Sequence, residues 1–200
     1  QSHVHRGRKH IKQLKNRFPN VTSVETDLTS VFETFKDVVP ADSDTQKLNL
    51  SLANTRARLR MTTLYYFAGI HNLLVVGTGN KIEDFGVGFY TKYGDGGVDL
   101  SPIADLMKSE VFLLGHFLEI PNSILEASPT DGLFGDDRTD EDQLGATYDE
   151  LEIAMLQNEE GKSADDFSGR EKIVFEIYKR LNTNNQHKMT AIPVCLIPKY

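Results

Sequence analysis

The sequence predicts an α/β fold in which helices flank a parallel sheet. Two short segments rich in apolar or β-branched residues, 20–26 and 73–76, are separated by a long stretch with helical periodicity. Strands that are joined through a helix lie parallel in one sheet. Segment 73–76 leads into Gly77-Thr-Gly-Asn80 and a glycine-rich stretch, and ligands bind at the carboxyl ends of such strands. We therefore expect a Rossmann-like architecture with a ligand site in this stretch.

The composition fits a single domain over residues 1–200. The hydrophobic fraction of 39% supports one sizeable core and excludes a disordered tail or a disulfide-stapled miniprotein. No apolar run approaches the length of about 20 residues that crosses a bilayer. The formal net charge of −7 argues against a dedicated duplex-binding protein, although it leaves room for local basic patches, and we expect no nucleic-acid partner. Cys195 is the only cysteine and no secretory signal precedes it, so we expect a cytoplasmic protein.

Helix and strand alternate in the first half of the chain. Apolar residues at helical spacing predict an amphipathic helix over residues 2–17, and β-branched residues predict a strand over 20–26. Asp27 or Thr29 can cap the next helix. A longer helical pattern follows and ends near Ile70, directly before the second strand.

Helices predominate in the second half. Ser101-Pro102 predicts a helix start, because serine caps and proline fits the first turn. Residues 128–139 are irregular and predict a mobile lid or specificity loop. Helices are predicted over 148–156 and 170–181, and the polar stretch 182–188 leads into a tail punctuated by prolines.

Three arginines, Arg56, Arg58 and Arg60, lie beside an apolar stripe of the long helix. Arg58 and Arg60 fall on opposite flanks of the stripe, so at least one should be partly buried. A partly buried guanidinium needs a carboxylate or phosphate partner. Solvated arginines, or an internal salt bridge, are the alternative.

The turn after the second strand carries two candidates. Gly77-Thr-Gly79 can bring backbone N–H groups close to a nucleotide, with the Thr78 hydroxyl as a further donor, although many such triplets are only turns. Glu83 is a candidate oxygen ligand for Mg²⁺, which proteins hold with one or two carboxylates. An exposed structural glutamate is the alternative for Glu83.

The glycine-rich stretch presents charged side chains at close quarters. Its sequence Thr91-Lys-Tyr-Gly-Asp-Gly-Gly-Val-Asp99 contains Lys92, Asp95 and Asp99. A lysine and two aspartates in one folded loop suit the binding of a polar, charged small molecule.

Four further residues are weaker candidates when each is taken alone. Lys108, in the predicted helix after this loop, can reach a phosphate, although most helical lysines are solvated. Thr130 is an ordinary loop threonine. His187 and Lys188 can form a flexible anion clamp or simply add polarity to the surface.

Several well-known catalytic motifs are absent from the sequence. There is no HExxH, CxxC, GxSxG or GxGxxG, so the zinc hydrolase, serine hydrolase and dehydrogenase classes lack their characteristic residues. His3, His5 and His10 lie close together at one chain end, and we interpret them as surface residues rather than metal ligands.

Taken in order, these segments resemble the NAD synthetase family. The similarity runs from about Ile11 to Lys188, and the segment Thr91-Lys-Tyr-Gly-Asp-Gly96 is highly specific to that family. The segments that carry the resemblance are Asn54–Met61, Gly77–Glu83, Thr91–Asp99, Pro102–Lys108, Ser128–Thr130 and Leu144–Glu150.

The resemblance implies an ATP-pyrophosphatase-type enzyme with an adenine nucleotide α-hydrolase-like fold, acting as a homodimer with Mg²⁺. Such enzymes use ATP to adenylate the nicotinate carboxylate of deamido-NAD and release pyrophosphate. Ammonia then displaces AMP to give the amide, so no side-chain nucleophile is needed. The matched motifs imply ATP contacts by Thr78, Lys108 and Thr130, a Mg²⁺ ligand at Glu83, and deamido-NAD contacts by Arg58, Lys92, Asp99, His187 and Lys188, partly across the dimer interface.

The chain departs from the family pattern at its front. The family's Ser-Gly-Gly-x-Asp-Ser phosphate loop follows the first strand, and neither that loop nor that strand is present after Gln1. We expect an N-terminal extension to supply them, and we expect residues 1–200 alone to be inactive. Two alternatives remain open: the synthetase part of a glutamine-dependent enzyme, and a non-catalytic nucleotide-binding scaffold.

Overall fold

A computed structural model describes residues 3–130, 132–134 and 138–198. The elements in these ranges are almost all helical. In addition to the α-helices there is a π-helical segment at Ile82–Val87 and a 3₁₀ turn at Ala164–Asp166. The α-helices are α1 His3–Arg17, α2 Thr29–Val38, α3 Thr45–His71, α4 Lys108–Phe117, α5 Asn122–Leu125, α6 Asp140–Leu144, α7 Tyr148–Glu159 and α8 Gly169–Met189.

The long helix α3 confirms the helical pattern that ends near Ile70. The Asp44 carboxylate caps its start by accepting the N–H groups of Gln46 and Lys47, each at 3.1 Å. Asn72 ends the helix in the left-handed conformation, with φ of 54°, a conformation that asparagine tolerates better than most residues. Both ends of α3 are therefore set by local sequence.

The core lies where α7, α8 and the π-helical segment pack together. Ile82, Val87 and Leu151 are fully buried there, and Phe175 is almost so. A smaller cluster joins Ala53 and Ala57 of α3 to Leu133, and Phe134 packs against it. The π-helical segment is thus anchored by its apolar side chains, which fixes the polar residues that lie between them.

The predicted parallel sheet is only partly represented. Val76 and Leu100 form a parallel bridge, and this is the only β-pairing in the described ranges. Gly77 N donates to Leu100 O at 2.7 Å, and Asp99 N donates to Val75 O at 2.9 Å. The parallel direction agrees with the sequence, but no extended ladder is formed. The strand predicted over residues 20–26 was wrong, because this segment pairs with no other segment within the described ranges.

Two helix boundaries differ from the sequence prediction. Ser101 does not start a helix, since residues 101–106 form two tight turns and α4 begins only at Lys108. The Leu106 carbonyl accepts Lys81 N at 2.8 Å, which ties these turns to the π-helical segment. At the other end of the chain, α8 continues to Met189. His187 and Lys188 therefore lie in a helix rather than in a flexible polar stretch.

Glu150 links the starts of α7 and α8. Its carboxylate accepts Thr147 N at 2.9 Å, while Thr147 Oγ1 accepts Glu150 N at 3.2 Å, which completes a capping box. Arg170 donates to both carboxylate oxygens, at 2.7 and 2.6 Å. These bonds, chiefly those from Arg170, lower the pKa of Glu150 to about 2.

Glu150→Gln is expected to lower the free energy of unfolding by about 1 kcal/mol near neutral pH. A lowered pKa gives stability that is complete above the ordinary value of 4.5 and is lost as the pH falls through about 2. Urea unfolding between pH 4.5 and about 2 should show that the difference in free energy of unfolding between variant and wild type becomes smaller as the pH falls. A difference that stays constant would contradict this assignment.

Within the described ranges, no helix combines the length and the apolar character that spanning a membrane requires.

Candidate functional site

The π-helical segment orients the acidic residues of the site. Asn80, which is 2% exposed, lies two residues before this segment. Its side-chain oxygen accepts Glu83 N at 3.0 Å, and its backbone carbonyl accepts Asp84 N at 2.9 Å. A buried asparagine that makes both bonds fixes the direction in which the next turn points its carboxylates.

Glu83 and Lys108 form a partly buried ion pair. Lys108 Nζ lies 2.6 Å from Glu83 Oε1, and the two side chains are 19% and 15% exposed. The family resemblance implies separate roles for these residues, Glu83 with Mg²⁺ and Lys108 with ATP. The structure brings them together, so a cationic and an anionic group of the candidate site neutralise each other.

Asp84 adds a second carboxyl beside this pair. Burial, reinforced by the charges of Glu83 and Asp95, raises the pKa of Asp84 to about 6. The carboxyl packs directly against Gly79, where any added Cβ would collide with both of its oxygens. Gly79 thus allows the Asp84 carboxyl to pack directly against the Gly77-Thr-Gly79 turn, a contact that the sequence alone did not reveal.

The glycine-rich loop packs on α3. Thr91 Oγ1 donates to the Asn54 side chain at 2.7 Å, and Thr91 N donates to Asp95 Oδ1 at 3.0 Å. A Cβ on Gly94 would lie 2.9 Å from the Cβ of Ala57. The loop therefore approaches the helix at a distance that only glycine permits.

Three residues that were predicted to bind the dinucleotide are linked by a chain of hydrogen bonds. Arg58 donates two bonds of 3.3 Å to the Lys92 carbonyl, and Lys92 Nζ donates to the His187 carbonyl. The loop residue thus joins α3 to α8. The His187 imidazole itself is exposed, with Nδ1 3.2 Å from Asn184 O.

The end of α8 holds the backbone that enters this loop. Asn182 donates to Gly86 O, Asn185 donates to Val87 O, and Lys188 donates to the carbonyls of both Gly88 and Tyr90, each at 2.8 Å. Burial lowers the pKa of Lys188, and the nearby Asp95 carboxylate opposes that shift. In this arrangement Lys188 supports the loop.

Asp99 and Thr130 also make intramolecular contacts. Asp99 accepts the Tyr65 hydroxyl at 3.0 Å and Val75 N at 2.8 Å, so its carboxylate ties α3 to the residues before Gly77. Thr130 Oγ1 accepts Gly132 N at 3.2 Å. None of these hydrogen bonds in the described ranges involves the Glu83–Lys108 pair. Most of the predicted lid, 128–139, lies within them, but residues 131 and 135–137 lie outside.

Of the cavities that flank α3, two are lined by Arg60 of this helix. Thr78 is exposed at the first, of about 320 Å³, and Arg60 lines both the first and a second cavity of about 530 Å³. The first is mainly apolar, with Arg60 and Asp95 as its charged residues, and is lined by Ala57, Arg60, Met61, Leu64, Val76, Gly77, Thr78, Gly94, Asp95, Gly97, Val98 and Leu133.

The prediction that Arg58 or Arg60 is partly buried was wrong, since both are exposed. The partly buried arginine is Arg56, whose guanidinium lies 4.2 Å from the centre of the Phe32 ring and donates to Leu133 O. Its partners come from other segments of the chain. No pattern within α3 could therefore have identified it.

The donor set fits a metal held jointly with a ligand rather than by protein alone. No group of three or more His, Cys, Asp or Glu side chains suited to a metal occurs in the described ranges. Glu83 offers one oriented, partly buried carboxylate. Mg²⁺ commonly takes one or two carboxylates and completes its shell with phosphate oxygens and water. The chemistry of Glu83 is compatible with that mode of binding.

The sequence of this chain is similar to that of a known protein family. The NAD synthase family model matches residues 4–192. An NH(3)-dependent NAD(+) synthetase from Mesoplasma florum is 41% identical over 135 residues, which cover 68% of this chain and 54% of that protein. One from Carboxydothermus hydrogenoformans is 37% identical over 168 residues, which cover 84% of this chain and 63% of that protein. The chain thus spans between half and two thirds of the length of these curated relatives.

A solved structure supports the same relationship. The NMN synthetase from Francisella tularensis superimposes with a TM-score of 0.75 and is 30% identical. The match covers 98% of this chain and 73% of that one. This chain therefore shares the fold of that protein over almost its whole length.

Proposed function

Because this chain belongs to the NAD synthase family, we propose that the full-length protein amidates deamido-NAD with ammonia in an ATP-dependent reaction. The carboxylate is adenylated, pyrophosphate leaves, and ammonia then displaces AMP. The observation that carries this proposal is the family match over residues 4–192. The proposal includes a parallel sheet in the full-length protein, which the bridge between Val76 and Leu100 supports.

The ATP side of the proposed site is built around Lys108. Its ammonium is held between the Glu83 carboxylate at 2.6 Å and the Tyr148 ring, whose centre lies 4.6 Å away. Phosphate oxygens would compete with Glu83 for this cation. Thr78 supplies a hydroxyl at the first cavity, and Thr130 is proposed as a further ATP contact.

Glu83 would help hold Mg²⁺ beside the phosphates, where the metal supplies charge neutralisation when bound. Release of the Glu83 carboxylate from Lys108 frees one anionic ligand and one cation together. The ion pair therefore keeps both side chains oriented until they are separated by a phosphate at Lys108 and a cation at Glu83. Adenylation brings a carboxylate and a triphosphate together, so the Lys108 ammonium, and Glu83 through the cation it would hold, would reduce the electrostatic barrier.

The dinucleotide side is proposed to use Arg58, Lys92, Asp99, His187 and Lys188. The contacts between Arg58 and Lys92, and between Lys92 and the His187 carbonyl, support a shared surface. Part of that surface is proposed to come from the second subunit of a homodimer. We further propose a cytoplasmic location, with no membrane or nucleic-acid partner.

A second candidate substrate is the mononucleotide. The Francisella protein is named as an NMN synthetase, and it covers this chain almost completely. The chemistry of carboxylate activation is the same for deamido-NMN, which lacks the second nucleotide. The two substrates therefore differ in how much of the proposed dinucleotide surface they use.

The test is an assay of the purified full-length protein with ATP, Mg²⁺ and each acceptor, with either ammonia or glutamine. Stoichiometric AMP and pyrophosphate, formed with deamido-NAD and ammonia, are the expected result. Preference for deamido-NMN would favour the second candidate, and use of glutamine would indicate the glutamine-dependent type. Nucleotide binding without any pyrophosphate release would contradict the proposed function and favour a scaffold.

Arg58→Met is expected to raise KM for deamido-NAD about tenfold and to leave KM for ATP within about twofold. The substitution removes the charge and keeps a long, helix-compatible side chain. Steady-state kinetics with each substrate varied separately provide the measurement. Arg180→Met, a substitution at an exposed arginine of α8, is the matched control. A change in KM for ATP alone would show that Arg58 does not bind deamido-NAD.

A further inference from the structure

The start of α4 is clamped by a carboxylate from another helix. Glu152 of α7, which is 9% exposed, accepts Ser109 N at 2.9 Å and Ser109 Oγ at 2.7 Å. Ser109 is the residue that follows Lys108, and both lie in the first turn of α4. A carboxylate at this position satisfies an N–H group that the helix itself leaves unbonded, and it faces the positive end of the helix dipole.

The same face of α7 also meets the Lys108 side chain. Tyr148 lies one turn before Glu152, so the two residues point in the same direction. The Tyr148 ring is 4% exposed, and its centre lies 4.6 Å from Lys108 Nζ, which is the geometry of a cation–π contact. Its hydroxyl donates to Asp140 Oδ2 at 3.2 Å, and this contact limits the rotation of the ring.

We infer that Tyr148 and Glu152 are positioning residues for Lys108, a role that rests on the proposed function for its effect on ATP. Glu152 fixes the backbone at the start of α4. Tyr148 provides a rigid wall that keeps the ammonium directed at the Glu83 carboxylate. Neither residue needs to touch a substrate. Together they hold the lysine in the place where a phosphate would displace Glu83.

The first test measures Lys108 directly and needs no substrate. The full-length protein is treated with an amine-acylating reagent, and modification of each lysine is followed by peptide mass spectrometry. Tyr148→Leu and Glu152→Leu are expected to raise the acylation rate of Lys108 by about threefold or more, since each loosens one support. The rate at Lys179, an exposed lysine on α8, should not change.

The second test separates positioning from general stability. Glu152→Leu and Tyr148→Leu are expected to raise KM for ATP about tenfold, with KM for deamido-NAD nearly constant. Glu152→Gln and Tyr148→Phe keep the hydrogen-bonding shape and the ring, so they should restore KM to within about twofold. Glu150→Gln also removes an α7 carboxylate from its partners and should alter neither KM nor the labelling of Lys108.

Different results would contradict the positioning role of Tyr148 and Glu152 and the proposed function. If both leucine variants lose stability but keep the wild-type acylation rate at Lys108, the positioning role is wrong. If the leucine variants do not fold, Glu152→Gln and Tyr148→Phe remain measurable. In that case, faster acylation of Lys108 in Tyr148→Phe than in wild type would show that the ring alone does not hold the lysine. Wild-type protein that releases no pyrophosphate overturns the proposed function, while the acylation comparison still decides the positioning role.

Discussion

Glu83→Gln is expected to lower kcat/KM for ATP about 100-fold in the full-length protein, because it removes the proposed carboxylate ligand of Mg²⁺. The unfolding midpoint should change little. The glutamine oxygen can still accept the Lys108 hydrogen bond that Glu83 Oε1 accepts at 2.6 Å. The loss should therefore appear in catalysis and in the response to magnesium rather than in folding.

The measurement is a set of steady-state curves at several Mg²⁺ concentrations, together with a thermal unfolding curve. The variant should need more Mg²⁺ to reach half of its maximal rate. Glu171→Gln in the exposed first turn of α8 provides a matched loss of charge away from the site. Kinetics that match wild type at every Mg²⁺ concentration would remove Glu83 from the metal site.

Gly88→Ala is expected to destabilise the fold by about 2–4 kcal/mol, through backbone strain and overpacking. Gly88 has φ of +64°, which disfavours any residue with a Cβ. The added Cβ would also collide with the Asn185 Cβ and lie 2.9 Å from Met189 Cε. Both neighbours lie on α8, so relief requires the helix or the loop to move.

Chemical denaturation of three glycine variants separates these contributions. Gly161→Ala has a similar φ of +79° but open space around the new methyl, so it should report strain alone, about 1 kcal/mol. Gly7→Ala lies within α1 with nothing near it and should stabilise by a few tenths to about 1 kcal/mol. An equal loss in free energy of unfolding for Gly88→Ala and Gly161→Ala would show that the contacts with α8 do not add to the destabilisation at Gly88.

The elements that could be predicted are those whose signals are local. The cap of α3 at Asp44 and the start of α7 at Thr147 each depend on a side chain that bonds its own next turn. The strands could not be predicted as reliably. A β-branched segment such as 20–26 becomes a strand only when a neighbour pairs with it, and its own composition does not specify that neighbour.

The candidate site shows the same division. Glu83 and Lys108 could be selected from motifs, but they are 25 residues apart and their 2.6 Å pairing depends on how the π-helical segment meets α4. Asn80 and Tyr148 lie in segments that carry the family resemblance, but neither they nor Glu152 were selected as site residues. Their importance arises from burial and from contacts across the fold, for which a single sequence carries no direct signal.

The contact between α8 and the glycine-rich loop also restricts how this helix can change in length. Asn182, Asn185 and Lys188 are spaced by three residues, and they reach carbonyls between Gly86 and Tyr90. Inserting one residue between the buried Phe175 and Asn182 would turn all three donors by about 100° around the helix axis. The number of residues in α8 before Asn182 therefore sets the direction of these donors. Substitutions on the exposed face of the helix keep that direction, whereas insertions and deletions before Asn182 change it.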